Sequence, residues 1–420
     1  MKPYSNTFRA IVYYCLVPII VIVTFVWPAG AVKKQPVHRT VSAPLAHLGR
    51  DPLSRSAFEH FYNMEYDKAI RDFEQEQREH PDDPFAVNHL ATAVLFKELY
   101  RIGALDTELF ANDSFLTSRH FAVDEKQRKR VRELNDLSLK LCEQRLRANP
   151  NDVDALYARG VARATRSLAM GLLDRAWFGG LRNAIGARHD HERVLELAPN
   201  YSDAKTVVGI HYYIVGSLSW TVKAAASMVG ISGNKDKGIE YLYDSIQGGG
   251  ESSIDARMAL ALFLRREQRY PEAITLVGQL VEAYPRNFLV ALEHANLLKA
   301  SGKGVEAMAD YRRIISAGEK GMYVDPRLEQ AYYGLGETLR GYNEYAAAAD
   351  AYEMASKTPN VDPELRTRSA LAAGQMYDLL QKREMAVQKY QQVISDASAS
   401  PQAGQARKYL KEAYRLPAKS

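Results

Sequence analysis

Three short stretches hold residue types that chemistry needs. The first is "HDHER", His189–Arg193, with two histidines and two acids in five positions. Its chemistry would be metal binding. Residues two apart on a helix point about 200° apart, so His189 and His191 cannot share an ion. Only His189 and Glu192 have a usable i, i+3 spacing, and the stretch is expected to be a solvated helix face. "GISGNKDKG" (230–238) offers glycines and lysines, as a phosphate cradle would, but no strand precedes it. It reads as a turn between helices. "GGGESS" (248–253) reads as a loop, with Ser253 as the N-cap of the next helix. The chain has no H-E-x-x-H, C-x-x-C, G-x-x-x-x-G-K-[ST] or G-x-S-x-G. No enzyme is expected, and no cofactor or metal.

The elements that would position such residues are periodic. In "YDKAIRDFEQEQREHPDD" (66–83), Ala69, Phe73 and Glu76 fall on one helix face and Pro81 stops the helix. Asp67 and Arg71 have i, i+4 spacing for an ion pair, and Asp82 and Asp83 stand where the next turn needs caps. Small residues recur twelve apart at Ala57 and Ala69, Ala261 and Ala273, Ala295 and Ala307, Gly336 and Ala348, and Gly374 and Ala386. An aromatic follows four later at Phe73, Tyr311, Tyr352 and Tyr390, and Ala187 with Pro199 repeats the back half of the pattern. Two antiparallel helices approach closely only where side chains are small. The ring one turn on fills the space beside the contact, and the proline turns the chain into the next hairpin.

These signatures, with "YPEAITLVGQLVEAYPRN", "YAAAADAYEMASKTPN" and "REMAVQKYQQVIS", resemble the tetratricopeptide repeat and its 34-residue unit. The resemblance implies an all-α, right-handed solenoid of helix hairpins. About eight units fit 51–400: roughly 50–83, 84–152, 153–201, 202–253, 254–287, 288–328, 329–366 and 367–400. Residues 401–420 make a capping helix and tail. The second, third and fourth units are long, with inserts at 95–137, 165–186 and 214–236. The inserts carry apolar residues at helical spacing. They are expected to pack together, with Trp177, Phe178, Leu181 and Trp220 as candidates for that packing or for an apolar ligand pocket. The stretch "SLSWTVKAAASMVGISGNKDKGIEYL" loosely resembles a divergent tetratricopeptide family that includes lipid-droplet and inclusion-clearance proteins.

The repeat resemblance implies that first helices line a groove, at unit positions 2, 5, 9, 12 and 13. In the fifth unit these include Asp255, Leu262, Arg265 and Arg266. Later units contribute Asn296, Lys299, Tyr333, Glu337, Arg340, Arg368, Gln375 and Asp378. This wall is basic, with amides at Asn296 and Gln375, and suits an extended peptide with acidic groups or a free carboxylate.

Composition limits the alternatives. Hydrophobic residues make up 46% and charged residues 25% of 420, a globular balance. Net charge is +5, or +3 without Lys2 and Arg9, with no dense basic run. That argues against a nucleic-acid partner. Of the two cysteines, Cys15 lies in the apolar N-terminus, so Cys142 has no intrachain partner in the repeats. Residues 1–31 hold Lys2 and Arg9, an apolar run from Ala10 to Trp27 and the small residues Ala29-Gly30-Ala31. This reads as a signal peptide cleaved after Ala31, or as a signal-anchor, with 32–50 as a linker. Either form places the repeats outside the cytoplasm, in the periplasm or its equivalent. Two functions follow as expectations. One is a non-enzymatic scaffold binding a protein or peptide partner, in envelope assembly or secretion, with membrane association through its N-terminus. The other is a carrier or sensor of an apolar or lipid ligand.

Overall fold

A computed structural model describes residues 49, 51–105, 122–228, 231–359 and 361–416. The expected signal or anchor, almost all of the linker and the centre of the first insert lie outside these residues. Among the described residues there are eighteen helices and no strand. They form two compact units divided at Leu276/Val277.

Unit one holds α1 (Pro52–Tyr62), α2 (Tyr66–Glu79), α3 (Pro84–Arg101), α4 (Glu125–Ala148), α5 (Val153–Leu172), α6 (Trp177–Leu197), α7 (Ala204–Ser217), α8 (Trp220–Met228), α9 (Lys235–Gly248) and α10 (Ser253–Arg266). The division falls inside α11 (Tyr270–Ala283). Unit two continues with α12 (Phe288–Ala300), α13 (Gly304–Glu319), α14 (Leu328–Gly341), α15 (Tyr345–Lys357), α16 (Pro363–Leu379), α17 (Arg383–Asp396) and α18 (Pro401–Lys411). Within each unit successive helices pack as hairpins, with α7 meeting α9 across the short α8.

The register is visible atom by atom. Ala57, Ala69, Ala273, Ala295, Ala307, Ala348 and Ala386 have no exposed surface. The ring one turn after the second small residue lies on the first: a Cβ at Gly336 would come 2.8 Å from the Tyr352 ring, and one at Gly374 2.6 Å from the Tyr390 ring. Close backbone approach therefore requires glycine at these two positions. The turn between paired helices repeats too. Met64, Gln268, Gly302, Asn343 and Gln381 all stand seven residues after the first small residue, all with φ between 59° and 81°. The amide that follows each one reaches back to close the preceding helix, as Glu65 N to His60 O (2.9 Å), Arg269 N to Leu264 O (2.8 Å) and Lys382 N to Tyr377 O (2.9 Å). Second-to-first helix turns start with acid or amide caps: Asp83, Asp152, Asn287 and Asp362 each accept from an amide of the first turn.

Two local readings change. Asp67 pairs with Lys97 of α3 rather than with Arg71, because α2 and α3 pack closely enough for the charge to leave its own helix. Helix α10 begins at Ser253, so Ser252 occupies the cap position, and its hydroxyl bonds to Asp203 instead of the helix.

The second and third inserts extend the hairpins. α5 and α6 run on as a long antiparallel pair closed by a turn at 173–176, with Ser167 Oγ donating to Gly180 O at 2.8 Å. Leu181 and Ile185 of α6 pack against Val215, Leu218, Val222 and Ile231 of the third insert, a small core separate from the core around Cys142, Leu156 and Val194.

Candidate functional site

The register decides which side chains face the first-helix wall, and each unit has its own. In unit two, Tyr311, Tyr352 and Tyr390 come from second helices, and their rings are buried in the hairpins. Their hydroxyls emerge on the wall. Tyr311 donates to Asn296 Oδ1 at 2.6 Å, Tyr352 donates to Glu337, and Tyr390 donates to Asp378 Oδ2 at 2.8 Å. Asn296 and Gln375 are buried, so Asn296 presents little beyond its amide nitrogen. Lys299 is half-buried beside it.

Further along, the Arg368 guanidinium lies 4.9 Å from the centroid of the Tyr333 ring and donates to its hydroxyl at 3.2 Å. Arg340 Nη1 stands 3.8 Å from Glu337 and Nη2 donates to Tyr414 OH at 3.4 Å. The Asp378 carboxylate is fully buried; it accepts from Arg383 at 2.9 Å and from the Tyr414 amide at 2.7 Å. Tyr414 belongs to the segment after α18, which starts with extended backbone at Glu412. Tyr414 thus lies against the wall formed by Arg340 and Asp378. The structure brings together Tyr333, Glu337, Arg340, Arg368 and Asp378. Tyr414 was not identified from the sequence, since the tail has no repeat register.

Unit one presents the opposite chemistry. Leu262 and Arg265 are half-buried and Arg266 is exposed on α10. Two helical turns before Leu262, however, the same face carries Asp255, whose Oδ1 accepts from Tyr62 OH of α1 at 3.1 Å across 193 residues. His89 of α3 reaches Glu76 at 3.2 Å and Glu251 at 3.5 Å. Burial alone would lower the His89 pKa, but bonds to Glu251 and Glu76 outweigh it and hold the ring up to about 9. Carrying the groove positions back through the early units places Tyr62, Tyr157 and Asp203 on this same face. The first helices of unit one therefore present an acidic, tyrosine-rich face.

The "HDHER" stretch is only half a solvated face. His189 is exposed, but Asp190 and His191 are buried. Asp190 accepts from Arg159 Nη2 at 2.6 Å and Arg163 Nη1 at 2.7 Å. His191 follows Ala187 by four and takes the slot that Phe73 and Tyr390 fill elsewhere: a Cβ on Gly160 would come within 2.3 Å of its ring. The register contained this signal. Among the described residues no group of three or more His, Cys, Asp or Glu is placed to hold a metal.

The four insert residues part company. Leu181 joins the small insert core, and Trp177 lies over Gly171, where a Cβ would sit 3.5 Å from its ring. Phe178 and Trp220 are 51% and 80% exposed.

The chain is thus a helical-repeat array whose hairpin register resembles that of tetratricopeptide repeats. No family model matches it, and no curated protein does. Among solved structures, Pseudomonas aeruginosa PilF matches at 14% identity over 59% of this chain and 96% of its own, with a TM-score of 0.38. Yeast Tom70 matches at 14% identity over 86% of this chain and 87% of its own, with a TM-score of 0.34. The human IFIT1 dimer with m7Gppp-AAAA matches at 12% identity over 87% of this chain and 84% of its own, with a TM-score of 0.41. All three scores are low, and the repeat assignment rests on the register rather than on them.

Proposed function

We propose that the chain is a non-enzymatic scaffold that holds an extended peptide segment of a protein partner on the first-helix wall of unit two. One observation carries this reading: Tyr414, in the segment after α18, lies on that wall, with its backbone amide on Asp378 and its phenol on Arg340. The wall thus offers what peptide recognition uses, a fixed carboxylate for main-chain N–H groups and guanidiniums for side-chain or terminal oxygens. Arg368 over Tyr333 adds a flat cationic platform beside it. The apolar N-terminus supports a site of action outside the cytoplasm, exported or membrane-anchored, in an envelope assembly or secretion process. A photocrosslinking residue at Lys299, in the native cell, should capture a discrete protein partner. Arg340→Glu with Arg368→Glu should abolish that capture; unchanged capture would overturn the reading.

A second reading has its own observation. Leu168, Phe178, Ile214 and Trp220, all within the inserts, are among the large apolar residues left exposed. Such side chains suit the headgroup region of a membrane. Among the described residues no helix is long and apolar enough to cross one, so the contact would be interfacial. Trp220→Ser with Phe178→Ser should then weaken sedimentation with anionic liposomes, and equal sedimentation would remove this reading.

A further inference from the structure

The acidic face of unit one has a chemistry that neither reading uses. Its acids come from separate elements: Asp255 on α10, Glu251 before it, and Asp203 before α7. Asp203 is fixed by Ser252, whose amide and hydroxyl each donate to Oδ1 at 3.0 Å. Gly250 lets the loop come this close, since a Cβ there would lie 2.1 Å from that same Oδ1. Asp255 is open to solvent. Yet burial by surrounding protein, aided by the neighbouring Asp203 charge and opposed by the Tyr62 hydroxyl, pushes its carboxyl up to about 6.

A second observation is independent of the acids. Tyr157 of α5 is only 7% exposed, and its hydroxyl has no hydrogen-bond partner among the described residues. Its ring is fixed by Phe85 (5.8 Å between centroids), His191 (5.2 Å) and Tyr201 (4.9 Å). Burial, then the charges of Asp203, Glu251 and Asp255, raise its pKa well above the ordinary value, so the phenol sits in the field of all three acids. This unbonded hydroxyl beside the carboxylates is open to accept from a donor or a cation. His89 is already engaged by Glu76 and Glu251, and among the described residues no cation pairs with Asp203 or Asp255.

We propose that the face carrying Tyr62, Tyr157, Asp203 and Asp255 binds an organic cation, an ammonium or guanidinium group. A metal ion fits less well, because no three carboxylates or imidazoles converge at coordination distance among the described residues. An ammonium has several donors for separate oxygens, and tyrosine faces at the rim favour it. The free small molecule and the basic side chain of a polypeptide share this chemistry, and titration separates them.

The test is calorimetric titration of the full chain at pH 7.5 with spermidine in one arm and with the peptide acetyl-Gly-Lys-Gly-Arg-Gly-amide in the other. Saturable binding in either arm identifies the source. Asp255→Asn should weaken it roughly tenfold or more, and Tyr157→Phe, which removes one oxygen and no packing, should weaken it by a smaller factor. Asp255 must be ionised to bind, so affinity should fall as pH drops through about 6, with proton release on binding near that pH. His89, Tyr62, Asp203, Glu251 and Tyr157 face the same space; with His89 held at about 9, its charge is constant across this range. Saturable binding lost in Asp255→Asn, with an unchanged circular dichroism spectrum, supports the site. No saturation below about 10 mM in either arm, or equal binding by Asp255→Asn, overturns it.

Discussion

His191 gives the register a sharp energetic test. The ring has no exposed surface and packs on Gly160. Its Nδ1–H donates to Ala187 O at 2.8 Å, which leaves Nε2 buried without a partner. Burial lowers its pKa to about 4, against 6.5 when unfolded; the Ala187 bond and Asp190 oppose the shift without reversing it. Between those values the unfolded chain binds a proton that the folded chain refuses. Stability from this residue is therefore complete above about 6.5 and is lost as pH falls towards 4, below which both states are protonated. At about 1.4 kcal/mol per pH unit the loss is about 3 kcal/mol. His191→Phe removes the titration and fills the slot as Phe73 does in α2. Urea denaturation at pH 7 and pH 4 should show wild type losing about 3 kcal/mol more than His191→Phe. Groups common to both proteins cancel, including His211, which burial also lowers to about 4. An equal pH dependence in the two proteins would refute both the burial and the register that explains it.

Other consequences follow from the same geometry. Gln268 and Gln381 hold φ of 59° and 60°, so glycine at either should raise stability by about 0.5–1 kcal/mol in thermal or urea unfolding. Asp378→Asn should cost about 2–3 kcal/mol, since Arg383 and Tyr390 lose their buried carboxylate; hydrogen exchange should quicken in α17 and α18. Cys142 is fully buried and burial pushes its thiol up to about 11. It should resist thiol reagents in the native protein and react on unfolding.

Sequence spacing reached the hairpins because their constraint is local. Ala57 with Ala69, or Gly374 with Ala386, must be small wherever the array goes, and their spacing states it. The left-handed turn was not legible, because Met64, Gln268 and Gln381 adopt it without being glycine, held by the flanking hairpin. Asp190 and His191 were misread as solvent-facing because a polar residue in an aromatic slot looks like surface. Tyr62 meeting Asp255 was beyond reach for another reason. It depends on the accumulated rotation of four hairpins, three of them with inserts, and no spacing in the chain encodes that sum. On the second wall the register identified Tyr333, Glu337, Arg340 and Arg368, and the tail that covers part of it had no register to follow.

The central claim is that the wall of unit two receives an extended segment. The direct measurement uses the chain ending at Lys411 and a labelled peptide of residues 412–420, "EAYRLPAKS", followed by fluorescence anisotropy. A segment held by tethering needs only modest affinity, on the order of 0.1–1 mM. The account predicts saturable binding in that range, lost in Arg340→Glu. Absence of saturation to about 10 mM, or binding indifferent to Arg340→Glu, would contradict it.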